Sequence, residues 1–323
     1  MQWQVLKSRI LASNGVKLEG VPSRFIAKST AGPGAGGSGA VFFLQGIHRI
    51  RLAVNPNSTN TLSYCPDGKA TLSFEGQDYS GILDEIGFHC PRQAFITVSS
   101  GCIFQCRYCP VPSQKDQRRK TIEEIVGMVE SVRDHIDAIS LTSGVLESLE
   151  KEEAYVLDVI RALQQFDLPV GVTIYPLPET PSHLHALGVS EVKYNIETAT
   201  SELFGEMCPG LNREEVLASL DLSVALFGKN HVFSNVLIGL GETDEEMKAC
   251  IRDLTRRGVI PELRPLNPAA GVKDYDRPSA DRILRLHQYL SKELDSEGLD
   301  PRKALTMCSA CQGCDLVHGR DDV

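Results

Sequence analysis

The stretch that decides the fold is GCIFQCRYC at residues 101–109, called the cysteine loop below. Its three cysteines stand at the spacing C-x3-C-x2-C, and cysteine thiolates are the usual protein ligands of iron–sulfur clusters. Three ligands from one short loop leave the fourth iron of a [4Fe-4S] cube open to a ligand that is not protein. An open position of this kind separates catalytic from structural zinc sites. The loop therefore predicts a catalytic [4Fe-4S] cluster bound by Cys102, Cys106 and Cys109 (the loop triplet). The alternatives are half of a structural zinc site and three unrelated core cysteines.

Composition narrows the class of protein. The chain has 323 residues, a net charge of −9, 42% hydrophobic and 23% charged residues, which leaves room for one barrel-sized domain and a smaller appendage. The acidic balance argues against nucleic acid as the main partner, because phosphate binding needs a basic face. No apolar run has the length of a membrane span and no secretion signal is evident, so we expect a cytoplasmic protein without a membrane partner. Ten cysteines in such a chain favour metal or redox chemistry over disulfides.

Residues after Gln93 alternate short apolar strands with amphipathic helices, which is the pattern of parallel βα units. Strands are predicted at 94–98, 138–142, 169–174, 191–196, 232–238 and 259–263, and helices at 121–134, 150–166, 243–257 and 280–296. Six units predict an α/β fold, a partial (β/α)6 TIM-like barrel over residues 92–298. Residues 1–91 are predicted to be a β-rich N-terminal extension, and 299–323 a C-terminal tail that binds a cluster. Within the extension, the glycine-rich stretch 29–39 is interpreted as a mobile linker or lid.

Polar residues at the strand ends are the candidate binding residues, because function in βα barrels gathers there. The second strand ends in Thr142, Ser143 and Gly144, where a small residue lets the backbone approach a ligand. The fourth ends in Asn195 and Glu197, which strand alternation places on one face. An ordinary polar strand end is the alternative for this pair.

The last two strand ends add three weaker candidates. Gly239 opens a glycine turn that leads into a helix, and such turns are common in βα units. Arg264 and Asn267 follow the sixth strand. An arginine there could hold a carboxylate, and a structural ion pair is an equal alternative.

A second group of cysteines, the tail triplet, follows the last predicted helix at the spacing C-x2-C-x2-C and consists of Cys308, Cys311 and Cys314. The chain there could fold across the open barrel mouth. We favour an auxiliary [4Fe-4S] cluster over zinc, since structural zinc prefers four protein ligands and no partner pair is nearby in sequence. Cys65 or Cys90 could supply a fourth ligand, although an inert buried thiol is the favoured interpretation of each. Cys208 and Cys250 are interpreted as structural.

The cysteine loop, with Tyr108 before its last cysteine, resembles the radical S-adenosylmethionine (SAM) superfamily, in which SAM occupies the open iron through its amino and carboxylate groups. The glycine-rich motif of that superfamily usually ends in an acid, whereas this chain has Thr-Ser-Gly-Val, so the match there is partial. The resemblance implies a SAM pocket formed by the aromatic residue and the strand-end residues: Tyr108, Thr142, Ser143, Gly144, Asn195, Glu197, Gly239, Arg264 and Asn267.

A closer resemblance lies within the predicted barrel. KYNIET at 193–198 looks like the strand-four motif of lipoyl synthases, and GLGET at 239–243 resembles another of their segments. FGEMCPG at 204–210 is similar to a segment of biotin synthases. Single-chain lipoyl synthases keep their second cysteine triplet near the N-terminus with wider spacing, which this chain lacks. It therefore looks more like one component of the two-protein lipoyl synthases.

The resemblance implies insertion of sulfur at unactivated carbons of a protein-bound octanoyl-lysine group. SAM would be cleaved reductively to a 5′-deoxyadenosyl radical, hydrogen would be removed from the octanoyl chain, and the carbon radical would attack a sulfide of the auxiliary cluster. Expected partners are an octanoylated carrier such as glycine cleavage H protein or a dehydrogenase E2 domain, and an electron donor such as ferredoxin or flavodoxin. A second radical SAM protein belongs to the two-protein arrangement.

Two other functions remain open at this stage. One is a biotin synthase-like or other radical SAM reaction on a small molecule or a peptide. The other is a non-catalytic iron–sulfur or zinc-binding carrier protein. The pairing of Asn195 with Glu197 argues against a carrier, because a carrier needs no SAM pocket.

Overall fold

The computed structural model describes residues 2–27, 39–268 and 270–322, and its strands form two sheets. The first sheet contains β1 (Lys17–Glu19), β2 (Ala40–Gln45), β3 (His48–Ala53), β4 (Thr61–Tyr64), β5 (Lys69–Phe74) and β6 (Gln77–Leu83). The second contains β7 (His89–Cys90), β8 (Gln93–Thr97), β9 (Ala138–Thr142), β10 (Val170–Thr173), β11 (Glu191–Lys193), β12 (Val232–Ile238) and β13 (Ile260–Pro265). The glycine-rich residues 29–38, interpreted above as a linker or lid, lie outside the described residues.

Nine α-helices accompany these strands within the described ranges. They are α1 (Trp3–Ala12), α2 (Ile122–Val132), α3 (Leu149–Leu163), α4 (Thr180–Ala186), α5 (Ser201–Met207), α6 (Arg213–Phe227), α7 (Asp244–Arg257), α8 (Ala280–Glu297) and α9 (Met307–Cys311). None of these helices is long and apolar enough to span a bilayer.

The second sheet is the predicted barrel. Its strand order is β13-β12-β11-β10-β9-β8-β7, with six parallel strands from β8 to β13 and the short β7 antiparallel to β8 at the edge. Alternate strand residues such as Ile96, Leu141 and Val192 pack outward into a core shared with α2, α3, α6, α7 and α8. The intervening residues face the concave side. This arrangement confirms the partial (β/α)6 barrel predicted from the sequence.

Two helices begin at the capping residues that the sequence predicted. Thr121 and Thr243 each begin a helix with a reciprocal capping box, to Glu124 in α2 and Glu246 in α7. Strand β11 ends at Lys193, three residues earlier than predicted. α1, α4, α5, α6 and α9 were not predicted.

The tail lies beneath the barrel, not across its mouth, so that expectation was wrong. Glu191 at the start of β11 accepts hydrogen bonds from Leu305 N, Thr306 N and Thr306 Oγ1 at 2.6–2.8 Å. Gln93 at the start of β8 accepts from Met307 N at 2.8 Å and donates to Met307 O at 2.9 Å. Because both acceptors stand at the N-terminal ends of their strands, the tail closes the barrel floor. The physical reason is that buried polar groups on the floor need partners.

The first sheet and α1 hold the other side of the tail. Arg51 N in β3 donates to Gly313 O at 2.9 Å, and Lys7 in α1 forms a buried ion pair with Asp321 at 2.8 Å. The tail is therefore enclosed between the N-terminal extension and the barrel. The domain boundaries at 91 and 298 stay predictions.

Candidate active site

The cysteine loop follows β8 at the C-terminal edge of the barrel sheet. Ile103 N donates to Val145 O at 2.7 Å, and Arg107 N donates to Met207 O at 2.8 Å. Gly144 packs so closely that a Cβ there would lie 2.1 Å from a carbonyl oxygen of the loop. The loop is therefore fixed by backbone contacts to the segments after β9 and at the end of α5.

The loop triplet fits an iron–sulfur cluster by the groups around its sulfurs. All three cysteines are partly exposed. Backbone N–H groups of Val145 and Phe104 point at the sulfur of Cys102, and that of Val111 points at Cys109. Such donors stabilise thiolates and tune iron–sulfur clusters. Burial raises the pKa of Cys109 to about 12, so a metal must displace its proton on binding.

A fourth cysteine lies beside the loop triplet. Cys208, at the end of α5, is wholly buried and hydrogen-bonds Cys106. Its Sγ lies 3.6 Å from the hydroxyl oxygen of Tyr108. The sequence interpretation treated Cys208 as structural, and no local pattern links it to a loop that lies about a hundred residues earlier. Only the fold brings these side chains together.

One cavity of about 480 Å³ occupies the concave side of the barrel sheet. Five of the nine candidate SAM-pocket residues line it: Tyr108, Thr142, Asn195, Arg264 and Asn267. The N-terminal extension supplies another part of its wall, from α1 through Gly15 and from Arg51 to Pro56. Strand-end residues that are far apart in sequence therefore border one chamber.

Three other candidates are engaged in internal contacts. Ser143 Oγ donates to Glu152 Oε1 at 2.5 Å, and Gly144 packs against the cysteine loop. Gly239 adopts a φ of +112°, a conformation that favours glycine, and its N–H donates to Glu242 Oε1 at 2.7 Å. These contacts shape the strand ends around the cavity.

Glu197, the ninth candidate, is buried at 8% exposure, and its Oε2 has no hydrogen-bond partner within the described structure. Its side chain hydrogen-bonds Tyr108 and Asn195, so the side chains of Asn195 and Glu197 lie next to each other. Burial raises the pKa of Glu197 to about 7. The residue also has a φ of +56°, which is uncommon for a non-glycine residue and is typical of strained functional positions. A buried carboxylate oxygen without a partner fits the hydroxyl-binding role that the resemblance implies for this residue.

Buried charged side chains lie at the lower end of the cavity, and two of them, Lys193 and Glu262, were not predicted from the sequence. Lys193 Nζ donates to Glu262 Oε2 at 3.0 Å and to Cys308 Sγ at 3.1 Å. Arg264 lies 3.8 Å from Glu262 and 3.6 Å from Asp315. Lys193 stands two residues before Asn195, and Glu262 two residues before Arg264, so the period-two spacing of the predicted strands could have found them.

The tail triplet reaches this lower end of the cavity. Cys308 and Cys314 line the cavity, and Cys311 is buried beside Cys90. Cys65 is exposed in the N-terminal extension. Among residues 2–27, 39–268 and 270–322, no three Cys, His, Asp or Glu side chains converge on a position for a single metal ion. The ligand roles of both triplets stay predictions.

A family model of known proteins matches the part of the chain that contains the cysteine loop. The family model described as the radical SAM superfamily matches residues 96–254, a span that includes the loop triplet and strands β9 to β12. The chain contains a radical SAM domain. This domain implies a [4Fe-4S] cluster and SAM, and the loop triplet and the cavity fit both by their chemistry.

The proteins to which this chain is similar are named for different enzymatic activities. A lipoyl synthase of Chlorobaculum parvum is 26% identical over 51% of this chain and 58% of its own length. A biotin synthase of Pseudoalteromonas atlantica is 25% identical over 55% and 50%. A dual-specificity RNA methyltransferase RlmN of Nitratidesulfovibrio vulgaris is 24% identical over 67% and 65%. The chain spans one half to two thirds of the length of these relatives.

Solved structures of radical SAM proteins show the same fold. The FeFe-hydrogenase maturase HydG from Carboxydothermus hydrogenoformans aligns with a TM-score of 0.53 at 20% identity, over 64% of this chain and 52% of that one. A radical SAM methyltransferase from Sphaerobacter thermophilus aligns with a TM-score of 0.52 at 19% identity, over 78% and 76%. At these identities the likeness shows the fold alone.

Proposed function

We propose that this protein is a radical SAM enzyme that inserts sulfur at an unactivated carbon of a protein-bound octanoyl-lysine group, as lipoyl synthases do. The observation that carries the proposal is the single cavity of about 480 Å³, which is bordered by SAM-candidate residues and also by Cys308 and Cys314. Forming a carbon–sulfur bond requires the group that removes hydrogen and the group that gives sulfur to face the same carbon. A chamber bordered by Tyr108 of the cysteine loop and by Cys308 and Cys314 of the tail triplet supports this arrangement.

The residues divide into two working sets. The loop triplet would hold the first cluster, with Asn195 binding the carboxylate of SAM and Glu197 its ribose hydroxyls. The tail triplet would hold the auxiliary cluster. When bound, the first cluster and SAM supply hydrogen-atom abstraction, and the auxiliary cluster supplies sulfide. The barrel walls and the N-terminal extension exclude water and hold the substrate carbon between the two sets.

The proposed partners follow from this reaction. An octanoylated carrier domain delivers the substrate, a ferredoxin or flavodoxin delivers electrons, and a second radical SAM protein completes the pair of sulfur insertions. A nucleic acid substrate, as the name of one relative describes for that relative, is disfavoured here by the net charge of −9.

A second candidate function is sulfur insertion into a small anionic molecule, as in the biotin synthase-like alternative. Three arginines favour it, because Arg51, Arg264 and Arg277 all line the cavity. Arginine binds carboxylates through a planar set of donors. A free carboxylate on the substrate would suit this wall better than an uncharged octanoyl chain.

One assay separates the two candidates. Anaerobically reconstituted protein is incubated with dithionite, SAM and either an octanoyl-lysine peptide or dethiobiotin, with and without a second radical SAM partner. We expect the octanoyl peptide to accelerate formation of 5′-deoxyadenosine and to yield a thiolated product detectable by mass spectrometry. Turnover with dethiobiotin alone would replace the first candidate by the second. If neither substrate is thiolated, sulfur insertion is the wrong reaction class.

A further inference from the structure

A small void of about 30 Å³ lies beside the large cavity at the barrel floor. Its lining includes four thiols that come from two separate parts of the chain: Cys90, Cys308, Cys311 and Cys314. The tail supplies three of them, and the edge strand β7 supplies the fourth. Cys308 and Cys314 also line the large cavity, so the thiols border two adjacent spaces.

Cys90 is held in position by the same residue that anchors the tail. In the antiparallel pairing of β7 with β8, Cys90 lies opposite Gln93. The side chain of Gln93 bonds both the N–H and the carbonyl of Met307, directly before Cys308. One residue pair therefore fixes the position of Cys90 relative to the tail triplet. Cys90 has 0% exposure, and its thiol hydrogen-bonds that of Cys311.

The charges around these thiols suit an anionic group. Lys193 Nζ contacts Cys308 Sγ at 3.1 Å, and Arg264 lines the void. The Nε atoms of Arg51 and Arg264 are buried and have no hydrogen-bond partner within the described residues. The carboxylates of Glu262 and Asp315 offset two of these three cations. A surplus of positive charge remains, and thiolate-bound clusters carry net negative charge that nearby cations stabilise.

The other scattered cysteines lie elsewhere. Cys65 is exposed in the N-terminal extension. Cys208 contacts Cys106 and Tyr108 beside the cysteine loop, at the opposite end of the barrel strands. Cys250 is buried in the outer core with α7. These positions make Cys65 and Cys208 matched controls, one exposed and one buried.

We propose that Cys90 is the fourth thiolate ligand of the tail site, so that Cys90, Cys308, Cys311 and Cys314 together bind one [4Fe-4S] cluster. The proposal rests on the part of the proposed function that assigns a second cluster to the tail, and it does not depend on the substrate. Each thiol loses its proton as a bond to iron forms. Four protein ligands leave no iron open, in contrast to the three-ligand loop triplet. SAM would then bind only at the loop cluster.

The test examines the tail site, also called the floor site because it lies at the barrel floor, in the whole 323-residue chain. A background with the loop triplet changed to alanine is reconstituted anaerobically with iron and sulfide, alone and with C90S, C90A, C65S or C208S. Iron, zinc and acid-labile sulfide per chain are measured, together with electron paramagnetic resonance spectra and the rate of iron loss to a chelator. C90A is included because a serine oxygen can itself bind iron.

We expect the background, C65S and C208S to hold about four irons and four sulfides per chain, as one cube requires. C90S and C90A should hold about three irons with the spectrum of a [3Fe-4S] cluster, or lose iron at least about tenfold faster, as weakened metal sites do. The proposal is overturned if both Cys90 variants match C65S in iron content, spectrum and chelator rate. Melting temperatures of the metal-free proteins check the fold, since a difference that appears only after reconstitution belongs to the metal site.

The remaining outcomes separate this inference from the proposed function. A background that binds neither iron nor zinc overturns the tail cluster and the Cys90 assignment together. One zinc per chain, lost in the Cys90 variants, overturns the cluster but supports Cys90 as a ligand. An intact four-iron site that depends on Cys90, combined with no thiolation of either substrate, leaves the Cys90 assignment standing and removes the sulfur-insertion proposal.

Discussion

The two cysteine regions of this protein are built in opposite ways. The loop triplet comes from eight consecutive residues, is partly exposed, and is held by backbone contacts at the C-terminal edge of the barrel sheet. The tail triplet is held by side chains at the starts of the barrel strands, and its thiols meet Cys90 from more than two hundred residues earlier. The comparison teaches that a short loop can bring three thiols together by itself, whereas the thiols of the tail and Cys90 meet only through the whole fold.

The largest effect is expected when the loop triplet is removed. Changing Cys102, Cys106 and Cys109 to alanine should abolish both SAM cleavage and product formation, because the cluster that binds SAM loses its only proposed protein ligands. Formation of 5′-deoxyadenosine, measured by chromatography, checks this. Floor-site iron should remain in the same protein. Persistent SAM cleavage would remove the loop triplet from the reaction.

Breaking the floor site should have a narrower effect. With Cys308, Cys311 and Cys314 changed to alanine, SAM cleavage should continue while the thiolated product disappears, because the group that gives sulfur is lost and the group that removes hydrogen is kept. The ratio of thiolated product to 5′-deoxyadenosine is the measurement. Product at the wild-type ratio would show that the tail cluster is not the sulfur source.

Glu191 holds the tail at the barrel floor, so its removal should destabilise the fold and weaken iron binding at the floor site but not at the loop triplet. E191A leaves three donors without an acceptor, of which the two from Thr306 are buried and the one from Leu305 is partly buried, at a cost of about 4 kcal/mol. Urea unfolding of the metal-free protein measures this loss, with the exposed Glu150→Gln as control. Iron bound at the floor should fall while the loop cluster and SAM cleavage persist. An equal loss at both sites would mean that the two regions are not built independently.

The smallest expected effect is a change of folding stability with pH, caused by Glu197 beside the cysteine loop. Burial raises the pKa of Glu197 to about 7, from an ordinary value of 4.5. Below pH 4.5 the carboxyl is protonated in both the folded and unfolded states, so it costs nothing. Between pH 4.5 and 7 the folded state binds more protons, and its stability therefore falls as pH rises. The loss should reach up to about 3 kcal/mol.

E197Q is the control for this pH effect, because an amide does not titrate. Urea unfolding of the metal-free proteins at pH 5, 6, 7 and 8 should show a steeper decline in the wild type than in E197Q. Parallel pH profiles would mean that Glu197 is not held protonated by burial. A matching experiment with E191Q would show whether the floor carboxylate, whose pKa burial also raises, behaves in the same way.

Much of the candidate site was predictable because strand ends in a barrel converge. Thr142, Asn195, Arg264 and Asn267 were selected from strand-end position alone, and all four line one cavity. Lys193 was missed although it stands two residues before Asn195 in the predicted strand at 191–196, because lysine is rarely buried without partners and its partners come from distant parts of the chain. Its partners Glu262 and Cys308 make that burial tolerable.

The sequence by itself determined the six βα units, the capped starts of α2 and α7, and the cysteine loop, because each depends on residues within a few positions of one another. Only the tertiary structure decided that the tail closes the barrel floor, that Cys90 and not Cys65 lies beside the tail triplet, and that Cys208 contacts Cys106. These contacts join residues about a hundred or more positions apart. Periodicity and capping act over one or two turns or strands, whereas the partners of a buried thiol or carboxylate depend on the path of the whole chain.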